Sequence, residues 1–364
     1  MKVGYVGLGW ATHAFHLPSV RRMQSVEIVG GCDPSVEQRE RWTKTTGSPA
    51  FETLEELQEQ AGPEAVVVAT PPDSHAELCR QALAAGAHVF CEKPFVSNTS
   101  EADEVVAAAA AAGKQVAVNH QYREFPIFAA VKDRIGSDEA GRLVFCQMWQ
   151  LMNLAPWDEP VEWRKAMPNR TLFEGGVHLV DLLVHLYEEW PAGVYAQRSS
   201  GLDAEREADA IQLVTLDFPS GRIAQITIDR LCQGGTRYLE VRADCERASL
   251  RASHGGRALL KLGKKRAERT GLHVEFGAGG LAWMERGLSH TTLARDPRDV
   301  GPEATRRLFE KVVAAFEADR EPPSSAREAR ATLAVIEAAY RSGDTGARVA
   351  LTPAADTAEP ARKV

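Results

Sequence analysis

The sequence has no apolar run approaching the roughly 18 residues that a membrane-crossing helix needs. It has no excess of positive charge: the formal net charge is −7, which argues against nucleic acid or an anionic membrane surface as the partner. Its six cysteines (Cys32, Cys79, Cys91, Cys146, Cys232, Cys245) show no C-x-x-C spacing, so reduced thiols in a cytoplasmic setting are expected. The first residues run into a strand-like segment without a secretory signal or small-residue cleavage site. No internal repeat and no basic helix-turn-helix are present.

What remains is an ordinary globular composition, 26% charged and 44% apolar. The 364 residues suggest two domains at about 150 residues each. The first third alternates strand and helix. Lys2 to Gly7, Val26 to Cys32, the unbroken Ala65-Val66-Val67-Val68-Ala69-Thr70, His88 to Cys91 and Gln115 to Asn119 read as strands. Between them, Val36 to Thr46, Ser74 to Ala85 and Glu101 to Ala112 read as helices, the last capped by Thr99 or Ser100 and stopped at Gly113. A helix interrupted at Pro18 follows the first strand. This series predicts a doubly wound parallel sheet. After about residue 120 the pattern changes to half-buried strands of alternating polarity, broken by one strong helix from about Phe173 to Glu189. The expected division is a dinucleotide-binding unit over 1–121, an α+β unit with a mixed or antiparallel sheet over 122–351, and a disordered tail over 352–364.

Gly7-Leu8-Gly9-Trp10-Ala11-Thr12 follows the first strand and opens a helix. Gly7 suits a tight turn, and Gly9 lets a pyrophosphate approach the helix N-terminus. The third glycine of that fingerprint is absent; Thr12 stands there. Asp33 ends the second strand, where an acid can hold ribose hydroxyls and repel a 2′-phosphate. NAD is therefore expected over NADP, with Arg39 or Arg41 as the residues that would receive the phosphate. Thr70-Pro71-Pro72-Asp73-Ser74-His75 makes a rigid strand end beside the same crevice, with Asp73 or Ser74 as an alternative helix cap. Glu92-Lys93-Pro94 follows the fifth strand, so Lys93 is a charged residue at the carboxyl end of a parallel strand, where such sheets bind ligands.

In the second unit, Glu174, His178, Asp181 and His185 share a face at helical spacing. Three readings stay open. His178 is a general acid/base with Glu174 and Asp181 setting its tautomer, or Glu174, His178 and His185 hold a metal, or the groups satisfy one another structurally.

These residues together resemble the glucose-fructose oxidoreductase / inositol dehydrogenase (Gfo/Idh/MocA) family. The resemblance rests on Gly7-Leu8-Gly9, Thr70-Pro71-Pro72, Glu92-Lys93-Pro94, Gly176-Val177-His178-Leu179-Val180-Asp181 and Ala338-Ala339-Tyr340-Arg341-Ser342-Gly343. It implies a Rossmann domain, then a domain whose open sheet often makes a homodimer or homotetramer. It also implies hydride transfer between NAD(P) and a sugar, cyclitol or related polyol, with Lys93 and His178 as catalytic residues. Glu174 stands where the family often has Asp. By the same resemblance the cofactor site draws on Gly7, Gly9, Trp10, Ala11, Asp33, Thr70, Pro71, Pro72, His75, Glu92, Lys93 and Gln121. The substrate pocket draws on Lys93, Asn119, Tyr122, Arg123, Trp163, Arg164 and His178, and no resident metal is implied. Trp149, Asn153 and Trp157 are further candidates to shape that pocket. Alternatives are another substrate class on the same fold (a diol, an imine, or a glycoside cleaved after oxidation) and a non-catalytic NAD-dependent sensor.

Overall fold

Ala65-Val66-Val67-Val68 is apolar without a break because both faces of its sheet are covered. The computed structural model describes residues 1–153, 167, 169–202, 209–233, 238–255, 257–262, 272–277 and 279–352. Six parallel strands form the first sheet: β1 (Lys2–Val6), β2 (Glu27–Cys32), β3 (Ala50–Phe51), β4 (Ala65–Val68), β5 (His88–Cys91) and β6 (Val116–Val118). Their order is β3-β2-β1-β4-β5-β6. The winding reverses between β1 and β4, and a crevice opens outside the carboxyl ends of the strands at such a switch point.

Local chemistry fixes most helix ends. Ser35 caps the helix Val36–Thr46 by accepting the Gln38 N–H, and Gly47 ends it in the left-handed region. The helix Thr99–Ala112 is capped by Asn98, which accepts the Glu101 N–H, one or two residues before the expected Thr99 or Ser100. Pro18 does not interrupt the first helix. The winding changes just before it, from the π-helical turn Thr12–His16 to the α-helical stretch Leu17–Val20, and the helical run continues through it. Ser74 stands at the N-cap of the helix His75–Ala84 but makes no side-chain capping bond; its hydroxyl meets Thr70 Oγ1 at 2.7 Å and Pro71 O at 2.8 Å.

The second sheet has nine strands: β7 (Leu143–Leu151), β8 (Gly193–Ser199), β9 (Ile211–Asp217), β10 (Ile223–Asp229), β11 (Leu239–Cys245), β12 (Ser249–His254), then, after a separate hairpin of β13 (Arg257–Leu262) and β14 (Leu272–Gly277), β15 (Leu281–Arg286), β16 (Ser289–Arg295) and β17 (Val349–Ala350). Their order is β16-β15-β12-β11-β7-β10-β9-β8-β17. β7 and β10 pair in parallel while their other neighbours pair antiparallel, so the sheet is mixed. One face packs against the helix Val177–Tyr187 through Cys146, Met148, Val214 and Ile226. The other face presents Tyr195, Leu213 and Ile223, all exposed. Trp149 alternates onto this uncovered face, away from the helix.

Two late helices tie the sheets together. Val300–Glu317 returns to the first sheet, where Phe309 stacks on Phe90 of β5 at 4.6 Å and Leu308, Val312 and Phe316 join Val3, Tyr5 and Leu8. Ala326–Thr345 bonds to the Thr99 N–H and hydroxyl through Glu337, at 2.8 and 2.9 Å. Ser324 O, between these helices, accepts the Val118 N–H at the edge of β6. This lashing holds the carboxyl ends of β4, β5 and β6 against the helix that carries His178.

Candidate active site

Gly7 sits at φ +84°, and a Cβ there would lie 2.6 Å from Ala69 O, so only glycine makes this turn. Gly9 has open space where its Cβ would be. No side chain caps the helix that follows. Trp10 is 67% exposed and meets Phe15 edge-on at 5.0 Å. Asp33 braces the turn: its carboxylate accepts the Leu8 N–H at 2.9 Å and the Ser35 N–H at 2.9 Å. Each oxygen keeps a second acceptor position for a ribose hydroxyl. Arg39 instead donates to Asp33 O and Pro34 O, at 2.7 and 2.9 Å. An uncapped helix start, a glycine that leaves room for a pyrophosphate and an acid at the end of β2 fit a dinucleotide.

The strand-end loops are pinned from behind. His75 is fully buried, with Nε2 2.8 Å from Thr70 O and Nδ1 2.9 Å from Pro94 O. Pro71, Pro72 and Pro94 supply no N–H groups, so this imidazole serves the carbonyls around them. It thus lies behind the Thr70-Pro71-Pro72 loop and does not reach the crevice where the sequence places it. Glu92 is also buried. His16 Nε2 meets its Oε1 at 2.8 Å and Asn119 Nδ2 donates to the same oxygen at 2.7 Å. Burial alone would raise the Glu92 pKa; the His16 and Asn119 hydrogen bonds, with the His16 and Lys93 charges, outweigh it and hold it at about 2. Glu92 and Asn119 therefore brace the strand ends from within, whereas the sequence places them on cofactor and substrate. The Lys93–Pro94 peptide bond is cis.

His178 lies near enough to Lys93 for that charge to act on its imidazole. Its ring stacks on Tyr122 at 4.2 Å and 11°. Burial, then the Lys93 charge and then His120, push its pKa well below the usual value, against the pull of Asp181. The imidazole is neutral at pH 7. Its Nδ1 is buried and has no hydrogen-bond partner among the described residues.

The polar groups of the expected stripe turn to other partners, although Thr171–Gly176, wound as a π-helix, still sets Arg170 against Glu174 four residues on. Glu174 Oε2 meets Arg170 Nε at 3.1 Å and Arg230 Nη1 at 3.5 Å. Asp181 accepts a bidentate pair from Arg123 at 2.8 and 2.6 Å, and Arg123 also donates to Glu328 at 2.9 Å. Arg123 is thus a buried clamp and does not point at substrate. Among the described residues no group of three His, Cys, Asp or Glu side chains could hold a metal ion.

Tyr122 stacks on His178 and the Lys93 charge acts on the same imidazole, while Gly9, Trp10 and Asp33 follow the carboxyl ends of β1 and β2 and Gln121 precedes Tyr122 beyond β6. Gln121 is buried there, and its Oε1 lacks a partner among the described residues. Asn153 lies at the rim, donating to Gln233 Oε1 at 3.2 Å. Trp157, Trp163 and Arg164 lie outside the described residues. Three residues that the sequence does not single out join the site. His16 partners Glu92. His120 faces Asp181. Tyr238 accepts from Gln150 Nε2 at 2.8 Å and lies 3.4 Å from the Tyr122 hydroxyl. The run Asn119-His120-Gln121, polar and directly after a buried strand, is the signal for His120.

Sheet order, glycine turn and strand-end lysine define a two-sheet protein built around a dinucleotide crevice. Residues 1–120 match the model described as "Oxidoreductase family, NAD-binding Rossmann fold", and residues 128–251 match the "GFO/IDH/MocA C-terminal domain". The chain belongs to the Gfo/Idh/MocA oxidoreductase family. It is 28% identical over 191 residues to glucose-6-phosphate 3-dehydrogenase of Bacillus subtilis, covering 51% of this chain and 54% of that protein. It is 29% identical over 204 residues to 1,5-anhydro-D-fructose reductase of Ensifer adhaerens, covering 55% of this chain and 60% of the other. The chain thus spans about half to three fifths of these curated relatives. In fold it is similar to an Agrobacterium radiobacter oxidoreductase solved with NAD+, L-tartaric acid and magnesium, with TM-score 0.78, 17% identity and 96% and 98% of the two chains covered.

Proposed function

We propose that the protein is an NAD-dependent oxidoreductase that transfers hydride between nicotinamide and a secondary alcohol or ketone of a sugar, cyclitol or related polyol. The observation that carries this is Lys93, at the end of β5 in a crevice fit for a dinucleotide, close enough to His178 that its charge depresses that imidazole. The relatives named above as a sugar-phosphate dehydrogenase and an anhydrosugar reductase support the substrate class. NAD is preferred to NADP because Asp33 stands at the end of β2 and Arg39 is turned to backbone carbonyls.

When bound, the cofactor supplies the hydride acceptor. The chain's own residues do the rest. The Lys93 ammonium sits where the substrate oxygen gains negative charge and stabilises it. Neutral His178, pressed flat on Tyr122, is the proton acceptor on the opposite wall. Tyr122, Gln121 and Tyr238 line the wall that receives the polyol. Glu174 acts through Arg170 and Arg230, shaping that wall and not touching the reacting atoms.

The uncovered sheet face carries Phe145, Trp149, Leu213, Ile223 and Tyr195, more apolar area than a solvated face needs. It is the surface for a homodimer or homotetramer, and Leu213→Arg should lower the mass seen by sedimentation. The reaction itself is tested by a cofactor-reduction screen over sugars, sugar phosphates, cyclitols and amino-sugars. Absorbance growth at 340 nm with one of these classes is the expected result (roughly the wavelength at which reduced nicotinamide absorbs). Bound NAD with no turnover across the panel would count for a sensor instead.

A further inference from the structure

Lys93 stands between two buried side chains that have no part in that mechanism. Before it comes Glu92, whose own N–H continues the sheet to Val68 O at 2.8 Å. β5 and β6 pair with Cys91 opposite Val118, and the Asn119 N–H reaches Cys91 O at 2.8 Å. Glu92 and Asn119 each follow that pair by one residue, so their side chains leave adjacent strands on the same face. Beyond Lys93 comes the His75 imidazole, 2.9 Å from Pro94 O and 3.0 Å from Phe95 O. The main chain over 92–95 is therefore pinned on both flanks of Lys93, whose side chain is half-buried.

The Glu92 carboxylate divides its oxygens. Oε1 accepts from Asn119 Nδ2 at 2.7 Å and meets His16 Nε2 at 2.8 Å. Oε2 accepts the Lys93 N–H at 3.1 Å. An ionised carboxylate only accepts, so Asn119 turns its nitrogen to Glu92, and Asn119 Oδ1, fully buried, has no hydrogen-bond partner among the described residues. An orphaned buried acceptor is costly, and the fold keeps it in exchange for one more donor to this carboxylate. His16 reaches the same oxygen from the helical run that opens beside Gly9. Burial opposes the Glu92 charge; His16, Asn119 and the Lys93 charge outweigh it. The pull between Lys93 and Glu92 is mutual, so the carboxylate favours the ammonium as the ammonium favours it.

We propose that Glu92 is the positioning residue for Lys93: its carboxylate, anchored by Asn119 and His16, fixes the Lys93 main chain and aims the side chain at the substrate oxygen. The assignment rests on the polyol oxidoreductase reading, in which Lys93 stabilises that oxygen, and it leaves proton acceptance with His178. Glu92 touches neither substrate nor cofactor; it acts through Lys93. The titratable groups facing Glu92 are His16, Lys93, Cys91 and His75, and Lys93 in turn acts on His178. Two substitutions separate charge from anchorage. Glu92→Gln keeps the shape and an oxygen for the Lys93 N–H but removes the charge. Asn119→Leu keeps the charge and removes one anchor.

The test has two arms. In the first, the full chain is acetylated with trace acetic anhydride at one mildly alkaline pH, and peptides are read by mass spectrometry. Lys93 should label severalfold faster in Glu92→Gln than in wild type, with Lys2 and Lys44, both exposed, as internal standards. An unchanged Lys93 rate overturns the assignment. In the second arm, a polyol from the screen is turned over with saturating NAD. Glu92→Gln should lower kcat by roughly 10- to 100-fold, the scale for a misplaced catalytic group, and move the alkaline limb of kcat to lower pH. The polyol KM and the NAD Kd should change little. Asn119→Leu should lower kcat in the same direction by less. Should Glu92→Gln fail to fold, as read by thermal unfolding, Asn119→Leu carries both arms. Wild-type kcat in Glu92→Gln, on an active wild-type enzyme, sinks this assignment alone. Lost NAD affinity with kcat held puts Glu92 on the cofactor and overturns it too. A wild type inert to every polyol sinks the polyol reading, and the labelling arm still decides whether Glu92 governs Lys93.

Discussion

Asp181 Oδ1 lies 2.7 Å from His120 Nδ1, and not against His178, which precedes it by one turn of the same helix. The carboxylate that helical spacing assigns to His178 therefore serves a residue at the end of β6. Arg123 fixes it from the other side, at 2.6 and 2.8 Å. The chain Glu328–Arg123–Asp181–His120 runs from a C-terminal helix to the end of β6 and ties the two sheets together.

Lys93→Ala should lower kcat by roughly 100- to 1,000-fold, the range for losing one donor to a developing oxyanion. NAD binding should survive, because the proposed pyrophosphate and ribose contacts lie at the Gly7–Gly9 turn and Asp33. Single-turnover kinetics and an equilibrium NAD titration check both halves. Wild-type turnover in this variant removes Lys93 from the chemistry.

Two glycines of the turn should respond in opposite ways. A Cβ on Gly7 meets Ala69 O at 2.6 Å in a backbone at φ +84°, so Gly7→Ala should destabilise the fold by more than about 1 kcal/mol. Gly9 has nothing within 4 Å of such a Cβ. Gly9→Ala should leave the melting temperature of the protein without cofactor unchanged and weaken NAD, whose pyrophosphate needs that space. Equal melting with equal NAD affinity would mean that the space above Gly9 is not the cofactor's.

The first sheet was legible in the sequence because its signals are local: apolar runs of strand length, glycine stops and a fingerprint turn. The same holds for Lys93 at a strand end. β15 and β16 were not legible. Leu281–Arg286 depends on pairing with β12, about thirty residues upstream by chain order (about eight turns of helix if it were wound as one), and Ser289–Arg295 is a polar edge strand that pairs with β15. The partners of Glu174 were not legible for a different reason: they include Arg230, 56 positions away, which only the fold brings to it. His120 was passed over because its partner, Asp181, is 61 positions away and only the fold brings them together.

Asp33 holds both the protein and, in the proposed complex, the ribose. Asp33→Ala should weaken NAD by about tenfold or more, since a hydrogen bond to a charged group contributes about 1.5–3 kcal/mol. NADP should lose less, because removal of the carboxylate also removes repulsion of its phosphate. The ratio of the two dissociation constants is the measurement, and an unchanged ratio counts against Asp33 as the ribose acid. Some loss for both cofactors is expected, because the Leu8 and Ser35 N–H groups lose their acceptor.

Stability should fall as the solution is acidified below about pH 6.5, the ordinary histidine value. His185 is held down to about 3, first by burial and then by the charges of Arg123, Lys132 and Lys311, with Asp181 opposing. His178 and His75 are lowered as well, in both cases chiefly by burial. In each the folded pKa lies below the unfolded one. The unfolded chain therefore binds protons first as pH falls, and the stabilisation present above 6.5 is lost on the way down. Each such histidine contributes a slope of up to about 1.4 kcal/mol per pH unit. Glu92, at about 2, adds the same sign below the ordinary carboxylate range. Melting temperatures taken between pH 7.5 and 4.5 should therefore decline steadily, and His185→Gln should flatten the decline. A midpoint independent of pH across that interval would mean that these imidazoles are hydrated and charged in the fold, and that the crevice wall behind His178 is open to water.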